Sequence, residues 1–176
     1  RKILFPIHSY ELRKVLPLFF MFMLIACTYY ILRSLKDMFL INYAKQAESI
    51  YFLKVYGVTP FMVLLTIAYA KLSNYDRDKR FFIVVGYFLT IISTCYFFLI
   101  PNLDILRLDT FADSLDAWVP KMKPLWEAIR FWPCSLIYLN AEAWGSMAIG
   151  VLFWTLANDI TSFKQAKRVY GYLSMG

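Results

Sequence analysis

The chain of 176 residues carries a formal net charge of +7, and 60% of its residues are hydrophobic, 19% aromatic and 18% charged. Soluble domains are usually about half apolar and about a quarter charged, so this composition disfavours a soluble globular domain and indicates a chain that spans a lipid bilayer. The single histidine and the lack of a GxxxxGK[ST] loop leave no metal-binding or ATPase motif, so we predict no enzyme activity, no metal and no cofactor.

Four apolar segments are long enough to cross a membrane, because about 20 apolar residues span the hydrocarbon core. We predict the fold class as an all-α membrane protein, a multi-span helical bundle with an outer loop at residues 101–130. The predicted spans cover about residues 15–36, 50–72, 81–100 and 131–158. Because the sequence starts at Arg1 without a methionine and stops at "YLSMG", we expect it to be a piece of a longer protein.

The first segment carries charges near its end, in the stretch "YYILRSLKDMFLIN" at residues 29–42. Arg33 comes about 27 Å along a helix that begins at Val15, so one interpretation is that it marks the outer interface and extends towards water. The other interpretation is a binding site for an anion that carries a ring, because Tyr29, Arg33 and Lys36 share one sector of the helix. Arginine binds phosphate through its fork and lysine acts as a point charge.

The second segment contains Lys54 one turn inside its start, and an interfacial position explains this lysine most simply. Gly57 and Pro60 follow, and they predict a kink in this helix. The third segment is uncharged. In the outer loop, "ILRLDTFADSLDAW" has Leu, Phe and Trp at helical spacing, which predicts a short helix that lies on the outer membrane surface.

The basic residues alternate between the two sides of the predicted spans. They concentrate before the first segment, between the second and third, and after the fourth, at Arg1, Lys2, Arg13, Lys14, Lys71, Arg77, Lys79, Arg80, Lys164, Lys167 and Arg168. Lys and Arg favour the cytoplasmic side, so we expect the N-terminal end of the first span to be cytoplasmic. This pattern explains the positive charge without a nucleic acid partner, and the lipid bilayer is the expected surrounding.

Glu142 is the one charge in the fourth segment and lies twelfth in a run of 28 residues. An ionised group at that depth costs about 3 kcal/mol on insertion scales, so it normally faces a bundle interior or a wet cavity and finds a partner. Tyr138 and Ser146 share its helical face. Glu142 is either an ion-pair residue that only holds helices together or a residue with a role in transport or coupling.

Six motifs together resemble the ATP/ADP translocases of intracellular bacteria and plastids. They are "LRSLKD", "FLKVYGVTP", "YAKLSN", "AEAWGS", "LFWTLANDIT" and "AKRVYG", in this order and at suitable intervals. The resemblance covers nearly the whole chain and corresponds to about the first third of a full-length member. It implies a major-facilitator-like bundle of twelve helices, of which this chain holds about the first four.

In such a bundle the first and fourth helices of each half line the central cavity. The essential lysine and glutamate of that family fall on Lys36 and Glu142, while the matching charges of the second half lie beyond this chain. The resemblance therefore implies a membrane carrier that exchanges ATP for ADP by alternating access, with the missing C-terminal half as a partner.

We expect Lys36 and Arg33 to hold phosphate, Tyr29 and Glu142 to contribute to the substrate site, and Glu142 also to act as a gate or coupling charge. Lys54, Tyr138 and Ser146 are further candidates for the substrate site. The expected substrates are ATP and ADP, with phosphate or other nucleotides as further possibilities. The alternatives are a proton-coupled nucleotide importer with Glu142 as the protonation site, and, from another class, a membrane scaffold or receptor that does not transport. The expected location is a bacterial inner membrane, or second a plastid envelope.

Overall fold

The computed structural model describes residues 9–44, 48–72 and 74–161, and all regular secondary structure in these ranges is helical. Four helices are long and apolar enough to cross a membrane. They are span 1 (Val15–Tyr43), span 2 (Glu48–Leu72), span 3 (Asp78–Leu99) and span 4 (Trp132–Ile160). The predicted class, an all-helical multi-span membrane protein, is confirmed.

The helix that contains span 1 runs without interruption from Ser9 to Ala44. No glycine or proline occurs after Pro17 in this helix, and its many leucine and methionine residues are good helix formers. The charged stretch of the first segment therefore lies inside the helix rather than at its end. Lys36 is about two turns before the last helical residue.

Spans 2, 3 and 4 each contain a π-helical stretch. Span 2 is α-helical at Glu48–Phe52, π-helical at Leu53–Val58 and α-helical again at Thr59–Leu72. The π-helical stretch ends two residues before Pro60, whose missing N–H and bulky ring disturb the hydrogen bonding of the preceding turn. Span 3 changes from α-helix, Arg77–Thr94, to π-helix at Cys95–Leu99. In span 4 the α-helices Trp132–Trp144 and Trp154–Ile160 flank the π-helical stretch Gly145–Phe153.

The chain divides into two compact units. The first unit comprises Arg1–Ile31 and Gly145–Gly176, and its described part is one helix packed against another in the opposite direction. Val15 and Leu18 cluster with Phe153 and Ala157 near one end. At the other end the ring of Tyr29 lies so close to Gly145 that an added Cβ there would come within 2.5 Å of it. Gly145 therefore permits a close approach that any larger residue would prevent.

The second unit is Leu32–Trp144, and the helix Trp132–Trp144 forms its centre. The hydroxyl of Tyr87 on span 3 donates a hydrogen bond of 3.1 Å to Oδ1 of Asn140, which is fully buried. Phe88 meets Trp144 edge to face, with 5.3 Å between ring centroids. An apolar cluster joins the helices further along, at Leu40, Leu53, Leu103, Ala128, Cys134 and Tyr138.

The outer loop between spans 3 and 4 is folded. It contains the helices Leu103–Leu106, Asp109–Trp118 and Lys123–Arg130 and the 3-10 turn Pro120–Met122. The predicted surface helix thus forms at Asp109–Trp118, and its position on a membrane surface stays a prediction. Arg130 joins the loop helices through ion pairs with Asp113, with Asp109 at 3.6 Å and with Glu127 at 3.4 Å.

Several residues that carry predictions from the sequence lie outside the described parts of the structure. The motif "AKRVYG" lies beyond the described residues, as do Arg1, Lys2, Lys164, Lys167 and Arg168. The side chains of Lys14 and Arg77 are also outside it. The predicted orientation of the spans therefore stays a prediction.

Candidate functional site

Lys36 is the centre of a charged cluster in the second unit. Its side chain is only 6% exposed, and its Nζ lies 3.1 Å from Oε2 of Glu142 and 3.0 Å from Oδ1 of Asp37. The same ammonium group lies over the ring of Tyr138, 4.0 Å from the ring centroid. A buried charge is costly unless it is paired, and these three neighbours supply two carboxylates and an aromatic face.

The local helix geometry explains these contacts. Tyr138 and Glu142 are four residues apart on one α-helix, so they lie one above the other on the same face. Lys36 reaches both from the helix Ser9–Ala44. Adjacent residues on a helix do not face each other, so the Lys36–Asp37 contact depends on the flexible four-carbon stem of the lysine.

Glu142 contacts two lysines rather than one. Its Oε1 lies 3.7 Å from Nζ of Lys54, while its Oε2 pairs with Lys36. The side chain of Lys54 is 61% exposed and that of Glu142 is 25% exposed. Lys54 thus has a carboxylate neighbour on span 4, and its expected position at the membrane interface stays a prediction. The charges of Lys36 and Lys54 balance those of Asp37 and Glu142.

The other predicted site residues are Arg33, Tyr29 and Ser146. Arg33 is exposed and forms no ion pair with any described residue. Tyr29 and Ser146 belong to the first unit. Tyr29 is half-buried beside Gly145 and Tyr30, and Ser146 is exposed. The structure thus brings Lys36, Glu142, Lys54 and Tyr138 together, and a role for the remaining three residues stays a prediction.

Sequence reasoning missed Asp37 as a member of this cluster. The rule that neighbouring helical residues diverge argued against a contact with Lys36, although an acid directly beside a buried lysine was a usable signal. It also missed the contact between Lys54 and Glu142, because that contact depends on how closely spans 2 and 4 approach each other. The residue pattern along a single helix does not determine the distance between two helices.

The cluster has the chemistry of a site that exchanges one anion for another. Phosphate oxygens and carboxylate oxygens both accept charged hydrogen bonds from ammonium groups. An incoming phosphate can therefore replace Glu142 as the partner of a lysine without leaving the lysine unpaired. The carboxylate that it displaces cannot bind phosphate itself, since both groups are negative. This arrangement allows anion binding to be coupled to the release of a contact between helices.

Comparison with known proteins shows which family the chain belongs to. Residues 1–176 match the family described as TLC ATP/ADP transporter. The chain is 37% identical over 179 residues to ADP,ATP carrier protein 1 of Chlamydia pneumoniae, an alignment that covers 100% of this chain and 35% of that protein. It is also 37% identical over 177 residues to ADP,ATP carrier protein 1 of Rickettsia prowazekii, which covers 99% of this chain and 35% of that protein.

These relatives are considerably longer than the chain, which spans 35% of the length of each. No solved structure gives a significant match to this chain. The match to the family covers the whole chain and therefore includes both charged segments, residues 32–37 and 141–146.

Proposed function

The chain belongs to the TLC ATP/ADP transporter family, and from this premise we propose that the full-length protein exchanges ATP for ADP across a membrane by alternating access. The chain is part of an integral membrane protein. The observation that supports the proposal most strongly is the pairing of buried Lys36 with Glu142 at 3.1 Å. A scaffold or receptor that does not transport gives no reason for charges of both signs among apolar helices.

In the proposed mechanism Glu142 acts as a gate. When no nucleotide is present, its two oxygens hold Lys36 and Lys54 and thereby join spans 1, 2 and 4. A phosphate group that binds Lys36 releases the lysine from Glu142, and Arg33, one turn away along span 1, adds a forked donor to the phosphate. Release of these contacts allows the carrier to change its orientation only when it is loaded, which is the requirement for exchange.

The remaining parts of the site are also proposals. Tyr29 and Ser146 would contribute to the binding of the nucleotide beyond its phosphates, and the C-terminal half of the same transporter would supply the other cavity wall. ATP and ADP are the proposed substrates, with phosphate or other nucleotides as further ones. The relatives are from Chlamydia and Rickettsia, which favours a bacterial inner membrane over a plastid envelope. Carriers move their substrate unchanged, so we propose no enzyme activity.

Proton-coupled import is the alternative that uses the same residue. In that mechanism Glu142 binds and releases a proton during the transport cycle. Two ammonium groups near its oxygens are the arrangement expected for a carboxylate that acts as a negative charge, and this favours exchange.

Uptake of labelled ATP into vesicles that contain the purified full-length protein tests the function. We expect uptake into vesicles loaded with ADP, none into vesicles without nucleotide, and no effect of an imposed pH gradient. Lys36→Gln should weaken ATP binding and abolish uptake without unfolding the protein. Accumulation of ATP in empty vesicles under an acid-outside gradient would instead support proton-coupled import, and normal uptake by the Lys36 variant would remove this lysine from the mechanism.

A further inference from the structure

We propose that Lys54 is a second phosphate-binding cation, held by Glu142 until substrate arrives, and that Gly57 positions it. This inference rests on the proposed function and adds a residue and its positioning device to the site. All the residues concerned belong to the second unit.

Lys36 and Lys54 share one carboxylate but differ strongly in exposure. The side chain of Lys36 is 6% exposed and has Asp37, Glu142 and the ring of Tyr138 as neighbours. The side chain of Lys54 is 61% exposed, and Glu142, at 3.7 Å, is its one ion-pair partner among the described residues. Lys54 is therefore the more accessible cation and the one that an incoming anion can reach with the smaller rearrangement.

The position of Lys54 depends on a close approach of spans 2 and 4. A Cβ added at Gly57 would lie 3.2 Å from Cδ2 of Leu139 and 2.7 Å from Cδ1 of Leu53. Lys54 is three residues before Gly57, and Glu142 is three residues after Leu139. Lys54 and Gly57 belong to the same short stretch of span 2, and Leu139 lies about one turn before Glu142 on the α-helix Trp132–Trp144. The contact between Gly57 and Leu139 therefore holds close together the parts of spans 2 and 4 that carry Lys54 and Glu142.

The backbone around Lys54 is also unusual. Lys54 and Gly57 both lie in the π-helical stretch Leu53–Val58, and such stretches are frequent at functional sites because they redirect side chains. The stretch turns Leu53 into the buried cluster while Lys54 stays exposed. A nucleotide with several phosphate charges can engage both lysines, since each is released from the same carboxylate.

ATP binding to the purified full-length protein tests this inference, with the dissociation constant measured at several salt concentrations. Lys54→Gln should raise the Kd for ATP about tenfold, the change expected for loss of one hydrogen bond to a charged group, while Lys54→Arg should retain most of the affinity. The salt dependence of the Kd should also weaken in Lys54→Gln, because one screened charge contact is lost. A loss of stability alone does not change the salt dependence.

Gly57→Val tests the positioning role. It should raise the Kd by a similar factor in the wild type but add little when Lys54→Gln is already present, because both changes remove the same contact. Gly86→Val is the matched control, since an added Cβ at Gly86 meets nothing within 4 Å. An equal additional loss from Gly57→Val in the Lys54→Gln background would overturn the positioning role.

The outcomes separate this inference from the proposed function. If Lys36→Gln weakens ATP binding and Lys54→Gln does not, the second cation is refuted and the exchange proposal is retained. If neither substitution changes ATP binding or its salt dependence, the anion site itself is refuted, and the proposed function fails with it.

Discussion

The ammonium nitrogen of Lys36 has three different groups as neighbours among the apolar helices. Two are carboxylates, and the third is the ring of Tyr138 at 4.0 Å. The sequence indicated Lys36 and Glu142, since any charge inside an apolar segment needs a partner. It offered Asp37 only as the neighbour of Lys36 in sequence, since the contact depends on the reach of the lysine side chain. It could not indicate Lys54 as a partner, because that contact depends on the distance between helices.

Two substitutions test the ring and the hydroxyl of Tyr138 separately. Tyr138→Phe keeps the ring face under Lys36 and should leave the thermal stability of the full-length protein in detergent almost unchanged. Tyr138→Leu removes the ring and should lower the free energy of unfolding by about 1 kcal/mol, in the range of cation–π contacts. If the Phe variant loses as much stability as the Leu variant, the hydroxyl rather than the ring is the important group.

At the scale of elements, the helix Trp132–Trp144 determines how the second unit is organised. One face carries Tyr138 and Glu142 towards the lysines, and the opposite face carries Asn140 and Trp144 towards span 3. The helical periodicity of the sequence predicted that Tyr138 shares the face of Glu142. It did not predict the π-helical stretches Cys95–Leu99 and Gly145–Phe153, since no proline marks them and their hydrogen bonding depends on packing.

The contact between spans 3 and 4 through Tyr87 gives a prediction at this scale. Tyr87→Phe removes the donor to Oδ1 of fully buried Asn140. Hydrogen bonds between membrane helices contribute about 0.6 kcal/mol on average, so a small fall in the thermal unfolding midpoint of the full-length protein is expected. Tyr96→Phe, also on span 3 but exposed, is the control and should have no effect. Equal midpoints for all three proteins would show that the Tyr87 bond does not stabilise the helix pair.

At the scale of the whole molecule, composition and apolar length were enough to predict the class and the presence of four spanning helices. The ends of the spans were less predictable: the helix of span 1 continues to Ala44, beyond the predicted end at residue 36, because no helix-breaking residue follows the charges. The chain spans 35% of the length of ADP,ATP carrier protein 1 of Chlamydia pneumoniae, so the second half of the cavity and its charges, which the resemblance implies, stay a prediction.

The central claim is that Glu142 competes with the phosphates for the lysines and does not itself bind substrate. A single preparation of the full-length Glu142→Gln variant tests it, by measurement of the Kd for ATP and of ATP uptake into vesicles with and without ADP inside. We expect tighter ATP binding, because the competing carboxylate is gone, together with ATP uptake into vesicles that contain no nucleotide, because the gate no longer holds the empty carrier. Weaker ATP binding, or uptake that still requires internal ADP, would contradict it.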